Sequence, residues 1–224
     1  MSQARVGRTR VDEVQRVLRD DIFQGRLTPG QKVNLGDVSR RVGVSLTVVR
    51  EAATRLASER LLELSPQQGF KVWPLSIDDL RDLTRVRIEI ERLTLRDSVE
   101  SADVAWESEV LAAHHRLESI HLRSSSDPAT WQAWTEAHSV FHAALASAST
   151  SPLLKSLRQR FFDAAELYRH WSKNAEPVGR RRNVAKEHLK LRDAALARDA
   201  DLLVDEACAH IQRTCDLLIA GQGS

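Results

Sequence analysis

The spacing of apolar and turn residues in the first third of the chain constrains its fold more than any other feature. Between residues 11 and 24 apolar side chains recur every three or four positions, as on a helix with one buried face. A shorter segment of the same kind, residues 35–42, ends at Gly43, and glycine commonly closes a helix. A third helix, residues 45–58, begins at a serine, which is a favoured cap.

Two short alternating runs follow these segments. Leu62 to Leu64 and Phe70 to Val72 are separated by five residues that include Pro66 and Gly69, which is typical of a β-hairpin. Three short helices followed by a hairpin predict a winged helix-turn-helix. On pattern alone, a small protein-interaction domain of the same shape remains an alternative.

The periodicity of the third helix assigns its two faces. Val49, Ala52 and Leu56 share the face that should pack inward, and the opposite face is free to enter a DNA major groove. The start of the helix offers backbone N–H groups to a phosphate, and the hairpin tip can approach the DNA backbone. The predicted DNA-binding residues are Ser45, Leu46, Thr47, Arg50, Thr54, Gln68 and Gly69.

Beyond Pro74 the chain shows helical periodicity and no strand pattern. We therefore predict a mainly α fold, with a winged helix-turn-helix in residues 1–75 and an all-helical bundle of about six helices in residues 76–224. Breaks that contain serine, proline and glycine separate the segments. The predicted helices are residues 77–102, 105–124, 129–148, 152–171, 182–197 and 200–219.

Charge and composition indicate a partner for the N-terminal part and a compartment for the protein. Residues 1–75 carry 13 Lys and Arg against 8 Asp and Glu, whereas the rest carries 20 against 23, so only the N-terminal part favours a nucleic-acid partner. Ordinary solvating charge explains the same numbers equally well. We find no signal peptide and no apolar run long enough to span a membrane. With two cysteines too far apart along one helix to pair, we expect a cytoplasmic protein.

The N-terminal segment resembles the DNA-binding domain of the GntR family of bacterial regulators. The resemblance covers nearly all of residues 11–75 and is most specific at Gly25-Arg26-Leu27, at Gly43-Val44-Ser45 and at Val49-Arg50-Glu51-Ala52. It implies binding to double-stranded DNA as a homodimer. The family usually has Arg where this chain has Leu46 and Pro where it has Val48, so its usual operator is not expected here.

The helical remainder resembles the FCD ligand-binding domain of the FadR-like subgroup of that family. Three places carry the resemblance: Arg87 with Glu91, the Phe141-His142 pair, and Glu187-His188 followed by His210. The resemblance implies a metal-containing pocket for a small effector. The subgroup has an Asp four residues before the histidine of the Phe-His pair, where this chain has His138.

The spacing of the histidines indicates a site independently of that resemblance. His188 and His210 each lie 11 residues from Asp199, where two helices should turn, so they can meet side by side. His138 and His142 share one helix face. We predict that these four bind a divalent metal, with zinc as the first choice and nickel or another transition metal as alternatives. The histidines that match no motif are expected at the surface: His114, His115, His121 and His170.

A metal with open positions would hold a small carboxylate, with Arg87 as a charged partner. The alternative is that Arg87 pairs with Glu91 or another acid of the bundle. The resulting hypothesis is a non-enzymatic regulator whose binding to an inverted-repeat operator is controlled by an effector. Two alternatives remain open: a metal-dependent hydrolase with a DNA-binding appendage, and a helical interaction domain whose histidines only pack.

Overall fold

The computed structural model describes residues 9–120, 128–171 and 182–220. Within these residues the chain forms nine helices and one two-stranded antiparallel sheet, which confirms the predicted fold class. In chain order the elements are α1 (Arg10–Phe23), α2 (Leu35–Val42), α3 (Leu46–Ser58), β1 (Leu62–Ser65), β2 (Gly69–Val72), α4 (Ile77–Glu100), α5 (Val104–Glu118), α6 (Pro128–Leu145), α7 (Pro152–Trp171), α8 (Val184–Leu196) and α9 (Ala200–Ala220).

Side-chain caps and one glycine set the ends of the first three helices. Thr9 and Asp12 form a reciprocal capping box at the start of α1. Gly43 closes α2 in the left-handed conformation, with φ of 70°, and donates its N–H to the carbonyl of Ser39. The Ser45 side chain accepts the N–H of Val48 at the start of α3. The sequence therefore placed these helices within one residue of their observed bounds.

Strands β1 and β2 form an antiparallel hairpin, the wing of the winged helix-turn-helix. In its register Leu62 lies opposite Val72 and Leu64 opposite Phe70. The turn between the strands is tight, because Gln67 and Gly69 both have positive φ, 62° and 78°. At Gly69 a side chain would be strained, which explains why glycine suits that position.

The chain divides into two compact units. The first takes in the described residues up to Leu80 together with Arg160 to Trp171, and the second takes in the rest. Helix α7 thus begins in one unit and ends in the other. In the first unit α3 packs against α1, α2 and β1. Its core includes Leu167 of α7, fully buried, among the side chains of Val14, Leu18, Ile22, Val49, Leu56, Leu61 and Phe70.

These units follow a different division from the one predicted between residues 75 and 76. The difference arises because the end of α7 supplies apolar contacts to the first unit, which no local pattern reveals. The functional division at residue 75 remains a prediction.

The second unit is a helical bundle. Helix α5 packs against α6 and α8, and α8 packs against α9. Helix α5 ends at Glu118, earlier than predicted, where Ser119 donates its N–H to the carbonyl of His115. Part of the predicted extension to residue 124 lies outside the described residues. Among the helices that the structure describes, none is both long and apolar enough to cross a membrane.

An acidic side chain of α4 fixes the start of α7. Asp97 accepts hydrogen bonds from the hydroxyl of Ser149 and from the N–H and hydroxyl of Thr150, at 2.8 and 3.1 Å for the last two. Ser151 then accepts the N–H of Leu154 in the first turn of the helix. The hydrogen bond from Ser149 is the largest influence on the Asp97 carboxyl, and its pKa lies below the usual value.

Candidate metal centre and nucleic-acid interface

Four buried histidines converge inside the second unit. His138 and His142 lie one turn apart on α6, His188 lies on α8 and His210 on α9. One ring nitrogen of each histidine lies within 4.8 Å of those of the other three. All four are at most 6% exposed. The structure thus brings together the four histidines on which the sequence prediction rests.

The turn between α8 and α9 brings two of these histidines together. Helix α8 ends at Leu196, and Asp199 caps α9 by accepting the N–H of Leu202. Since the two helices reverse direction at this turn, residues equally far from it lie side by side. The ring centres of His188 and His210 are 5.1 Å apart, and those of His138 and His142 are 4.4 Å apart.

A carboxylate orients one of the four rings. Nδ1 of His210 lies 2.7 Å from Oε2 of Glu187, to which it can donate a hydrogen bond. Arg182 holds Glu187 with two hydrogen bonds of 2.7 and 2.6 Å and also donates to the carbonyl of His210. Because Glu187 engages Nδ1, the other ring nitrogen of His210 is the one left to bind an ion.

The electrostatics favour the neutral imidazoles of His142 and His210 and an ionised carboxylate on Glu187. Burial lowers the pKa of His142 well below its usual range, and the charges of His210, His188 and Arg158 add to this effect. Burial also lowers the pKa of His210, against the opposing influence of Glu187. For Glu187 itself, burial raises the pKa, but the hydrogen bonds from Arg182 and His210 outweigh it and hold the pKa well below the usual range.

These observations test whether the residues fit a divalent ion. Metal ligation requires the neutral form of imidazole, which burial favours for His142 and His210. Four imidazoles on three helices offer the nitrogen donors that zinc and its neighbours prefer. A hydrogen-bonded carboxylate behind a ligating histidine is the usual second-sphere partner. The residues present therefore fit a transition-metal ion.

An aromatic wall lies against the cluster. The indole of Trp134 stacks on His138 with ring centres 4.7 Å apart and planes 21° from parallel. Phe141 contacts the rings of His142 and His188, each with a centre-to-centre distance of 5.5 Å. The cluster is therefore bordered by aromatic rings of α6 on at least two of its histidines.

A buried ion pair lies beside the cluster on α4 and α7. Arg158 donates to Oε1 of Glu91 from Nε and Nη2, at 3.1 and 2.9 Å, and to the carbonyl of His142 at 2.6 Å. Glu91 thus forms an ion pair with Arg158. Arg87, on the same helix as Glu91, is also buried, and its charge is among those that lower the pKa of His142 and His210.

Sequence reasoning did not select Arg158 or Arg182. Arg158 lies in an amphipathic helix with other arginines, and the local sequence does not indicate which of them is buried. The buried polar stripe on α4 was detectable, because its members recur every three or four residues on one helix face. The stripe consists of Thr84, Arg87, Glu91, Thr94 and Ser98, all buried.

The histidines outside the cluster are only partly where we expected them. The prediction that His114 lies at the surface is wrong: it is buried, and its ring packs against Phe141 with centres 5.4 Å apart. His115 is exposed, and His170 is half-buried against Phe23. His121 lies outside the described residues.

The candidate nucleic-acid interface is the outer face of α3 with the tip of the wing. Ser45, Leu46, Thr47, Arg50 and Thr54 are all exposed, in contrast to the fully buried inner face of the helix. The Thr54 hydroxyl donates to the carbonyl of Arg50. At the wing, Gln68 is exposed and Gly69 half-buried.

A winged helix-turn-helix combined with a helical domain defines a class of DNA-binding transcription regulators. Residues 10–72 match the family described as bacterial regulatory proteins, gntR family, and residues 82–213 match the FCD domain. The chain belongs to the GntR family of bacterial transcription regulators and carries an FCD domain. Like its relatives, it is a DNA-binding transcription regulator and not an enzyme.

Relatives and solved structures agree with this family. The chain is 37% identical to the HTH-type transcriptional regulator BphR of Paraburkholderia xenovorans, over 90% of this chain and 82% of that protein. It is 29% identical to the HTH-type transcriptional repressor GlaR of Escherichia coli, over 82% and 84%.

The solved structure of E. coli McbR/YncC has a TM-score of 0.79 at 21% identity, covering 95% of this chain and 98% of that one. A putative GntR regulator from Rhodococcus has a TM-score of 0.73 at 22% identity, with 94% and 98% covered. These likenesses establish the fold. Metal binding is known for FCD domains, and the four-histidine cluster could hold an ion.

Proposed function

We propose that this protein binds an inverted-repeat operator as a homodimer and that a small carboxylate, held beside a divalent metal ion in the FCD domain, controls this binding. The convergence of four buried histidines carries the proposal. We expect a regulator of this bacterial family to bind its operator in the cytoplasm.

The ligand set favours zinc, with nickel as the main alternative. Four neutral nitrogen donors suit these ions better than magnesium or calcium, which prefer oxygen ligands. His138, His142, His188 and His210 would hold the ion, and Glu187 would orient His210. When bound, the ion supplies a positive charge to which an anionic ligand can bind.

The surroundings of the cluster favour an anionic effector. Arg87 and Arg158 both place positive charge close enough to lower the pKa of His142, and Arg158 also binds the carboxylate of Glu91. Oε2 of Glu91 is buried and accepts no hydrogen bond from the described residues. A buried carboxylate oxygen normally has a donor, so a ligand hydroxyl or a water molecule is expected there.

Control of DNA binding follows from differential affinity. An effector that binds better to one arrangement of the protein shifts the population towards it, and operator affinity changes by the same coupling free energy. Arg87 would contribute a charge-assisted hydrogen bond to the effector carboxylate.

Metal analysis of the purified full-length protein tests the site. We expect about one equivalent of a divalent metal per chain, and loss of most of it in His188→Ala. The matched control is His115→Ala, because His115 is exposed and lies outside the cluster. Because binding to the folded state stabilises it, chelation should lower the Tm of the wild type. If the wild type holds no metal after incubation with zinc or nickel at neutral pH, the proposed metal site is wrong and the four histidines only pack against one another.

The effector is tested separately on metal-loaded protein. Operator affinity is measured with and without each member of a panel of small mono-, di- and tricarboxylates. We expect at least one to change the affinity of the wild type, and Arg87→Gln to lose the response while keeping metal and operator binding. Arg85→Gln is the control, since Arg85 is an exposed partner of Asp82. An unaltered response in Arg87→Gln would contradict its assignment.

A further inference from the structure

One apolar side chain breaks the polar character of the outer face of α3. Leu46, in the first turn of the helix, is 55% exposed, whereas Val49, Ala52 and Leu56 on the inner face are fully buried. Burying a leucine side chain is favourable relative to leaving it in water. An exposed leucine therefore gains free energy from any apolar partner that covers it.

The charges around Leu46 fit one kind of partner. Within the described residues Arg50 forms no ion pair, while the carboxylate of Glu51 is engaged by Arg55. The face therefore presents hydroxyls and the guanidinium of Arg50, which suit the polyanionic surface of DNA. Protein partners of such a face would need acidic groups, whereas DNA supplies both the phosphates and base edges.

The bases offer a single apolar group in the major groove, the 5-methyl of thymine. A leucine has no hydrogen-bonding atom with which to read guanine, cytosine or adenine. If Leu46 covered their polar edges, donors and acceptors would lose their hydrogen bonds to water and gain none in return.

We propose that Leu46 is a specificity-determining residue that packs against the methyl group of one thymine in each operator half-site. This inference rests on α3 being the helix that enters the major groove. It predicts that operators of this protein contain an invariant thymine at the position facing the first turn of α3.

The test compares thymine with deoxyuridine, which lacks only the methyl group. An operator is first obtained by in vitro selection with the full-length protein, and each thymine of one half-site is then replaced in turn by deoxyuridine. Affinity is measured at constant salt. At one position the wild type should bind about three- to tenfold more weakly, because one methyl contact is lost.

Two variants separate this contact from other effects. Leu46→Ala should bind the thymine and deoxyuridine operators equally well. Leu64→Ala, which shortens an equally exposed leucine (56%) on β1, should keep the wild-type preference.

Equal wild-type affinity for every thymine and deoxyuridine pair would overturn the proposal, as would an undiminished preference in Leu46→Ala. A different result is expected if α3 does not enter the major groove at all. In that case Arg50→Ala would also leave operator affinity unchanged, whereas failure of the methyl contact alone leaves the effect of Arg50 intact.

Discussion

Glu187 shows how much of the candidate site depends on single side chains outside the ligand set. Its carboxylate holds Nδ1 of His210 and is held in turn by Arg182. The four histidines could be predicted, because equal distances from a turn and helical spacing bring them together. The roles of Arg158 and Arg182 could not, because each depends on contacts between segments distant in sequence.

A first prediction at this scale concerns Glu187→Gln. An amide cannot hold the imidazole as strongly as a carboxylate, so metal affinity should fall about 10- to 100-fold while the protein stays folded. Competition with a chromophoric chelator measures this affinity. Glu206→Gln on α9 is the matched control, because Glu206 binds Lys190. Equal affinities in the two variants would show that Glu187 does not position His210.

A second prediction at the residue scale concerns Arg50. It projects from the exposed face of α3, so Arg50→Ala should weaken specific operator binding by about 1–3 kcal/mol if the guanidinium reads a base. Fluorescence anisotropy with operator and unrelated DNA measures the specific part. Arg16→Ala, in which an exposed α1 arginine is removed, serves as the control. Unchanged operator affinity in Arg50→Ala would exclude the proposed docking face.

At the scale of elements, the periodicity of the sequence predicted the bounds of α7 correctly. It did not predict which segments α7 packs against. A repeating apolar pattern shows that a helix has a buried face, and it does not show which segments cover that face. Leu167 is fully buried in the core of the first unit, whereas Leu153 at the other end of the same helix is 69% exposed. The wing and α2 were predictable in more detail, because a glycine and a short hairpin restrict the backbone locally.

Shortening Leu167 should therefore destabilise the first unit. Leu167→Ala removes buried methyl groups and leaves a cavity, for an expected loss of about 2–5 kcal/mol in the free energy of unfolding. Lys155→Ala, at an exposed position of the same helix, is the control and should stay within about 0.5 kcal/mol of the wild type. Urea unfolding followed by circular dichroism measures both. Similar losses in the two variants would contradict the burial of Leu167.

The anchor at the start of α7 gives a pH-dependent prediction. The hydrogen bond from Ser149 is the main cause of the lowered pKa of Asp97, so the folded state favours the ionised carboxylate. Such a group stabilises the protein above its unfolded pKa and loses this effect as the pH falls through the folded one.

The wild type should accordingly exceed Asp97→Asn in Tm above about pH 5, with the gap closing below about pH 4. Asp82→Asn, at an exposed acid of the same helix, should show little difference at any pH. A gap that stays constant down to pH 3 would mean that the charge of Asp97 has no role.

At the scale of the whole molecule, the proposed operator binding needs two copies of the chain, and we expect the second unit to pair them. Isolated exposed hydrophobic residues are common, but operators with two-fold symmetry call for paired DNA-binding domains. The large exposed apolar residues of this unit are Leu93, Val104, Leu111, Val140, Leu153 and Leu202.

We expect sedimentation without DNA to give a dimer of the 25.2 kDa chain. The complex with operator should contain two chains, and its affinity should fall steeply with salt. A protein that is monomeric at micromolar concentration and remains so on DNA would contradict the proposed symmetry.

The burial of Leu167 also has a consequence for how the chain folds during synthesis. The winged helix-turn-helix is translated first, yet its core is incomplete until the end of α7 has left the ribosome. About 90 further residues must be added after Leu80, which takes roughly 4–18 seconds at bacterial elongation rates of about 5–20 residues per second. During that interval the nascent chain exposes an apolar surface that the finished protein covers, and chaperones can bind it there.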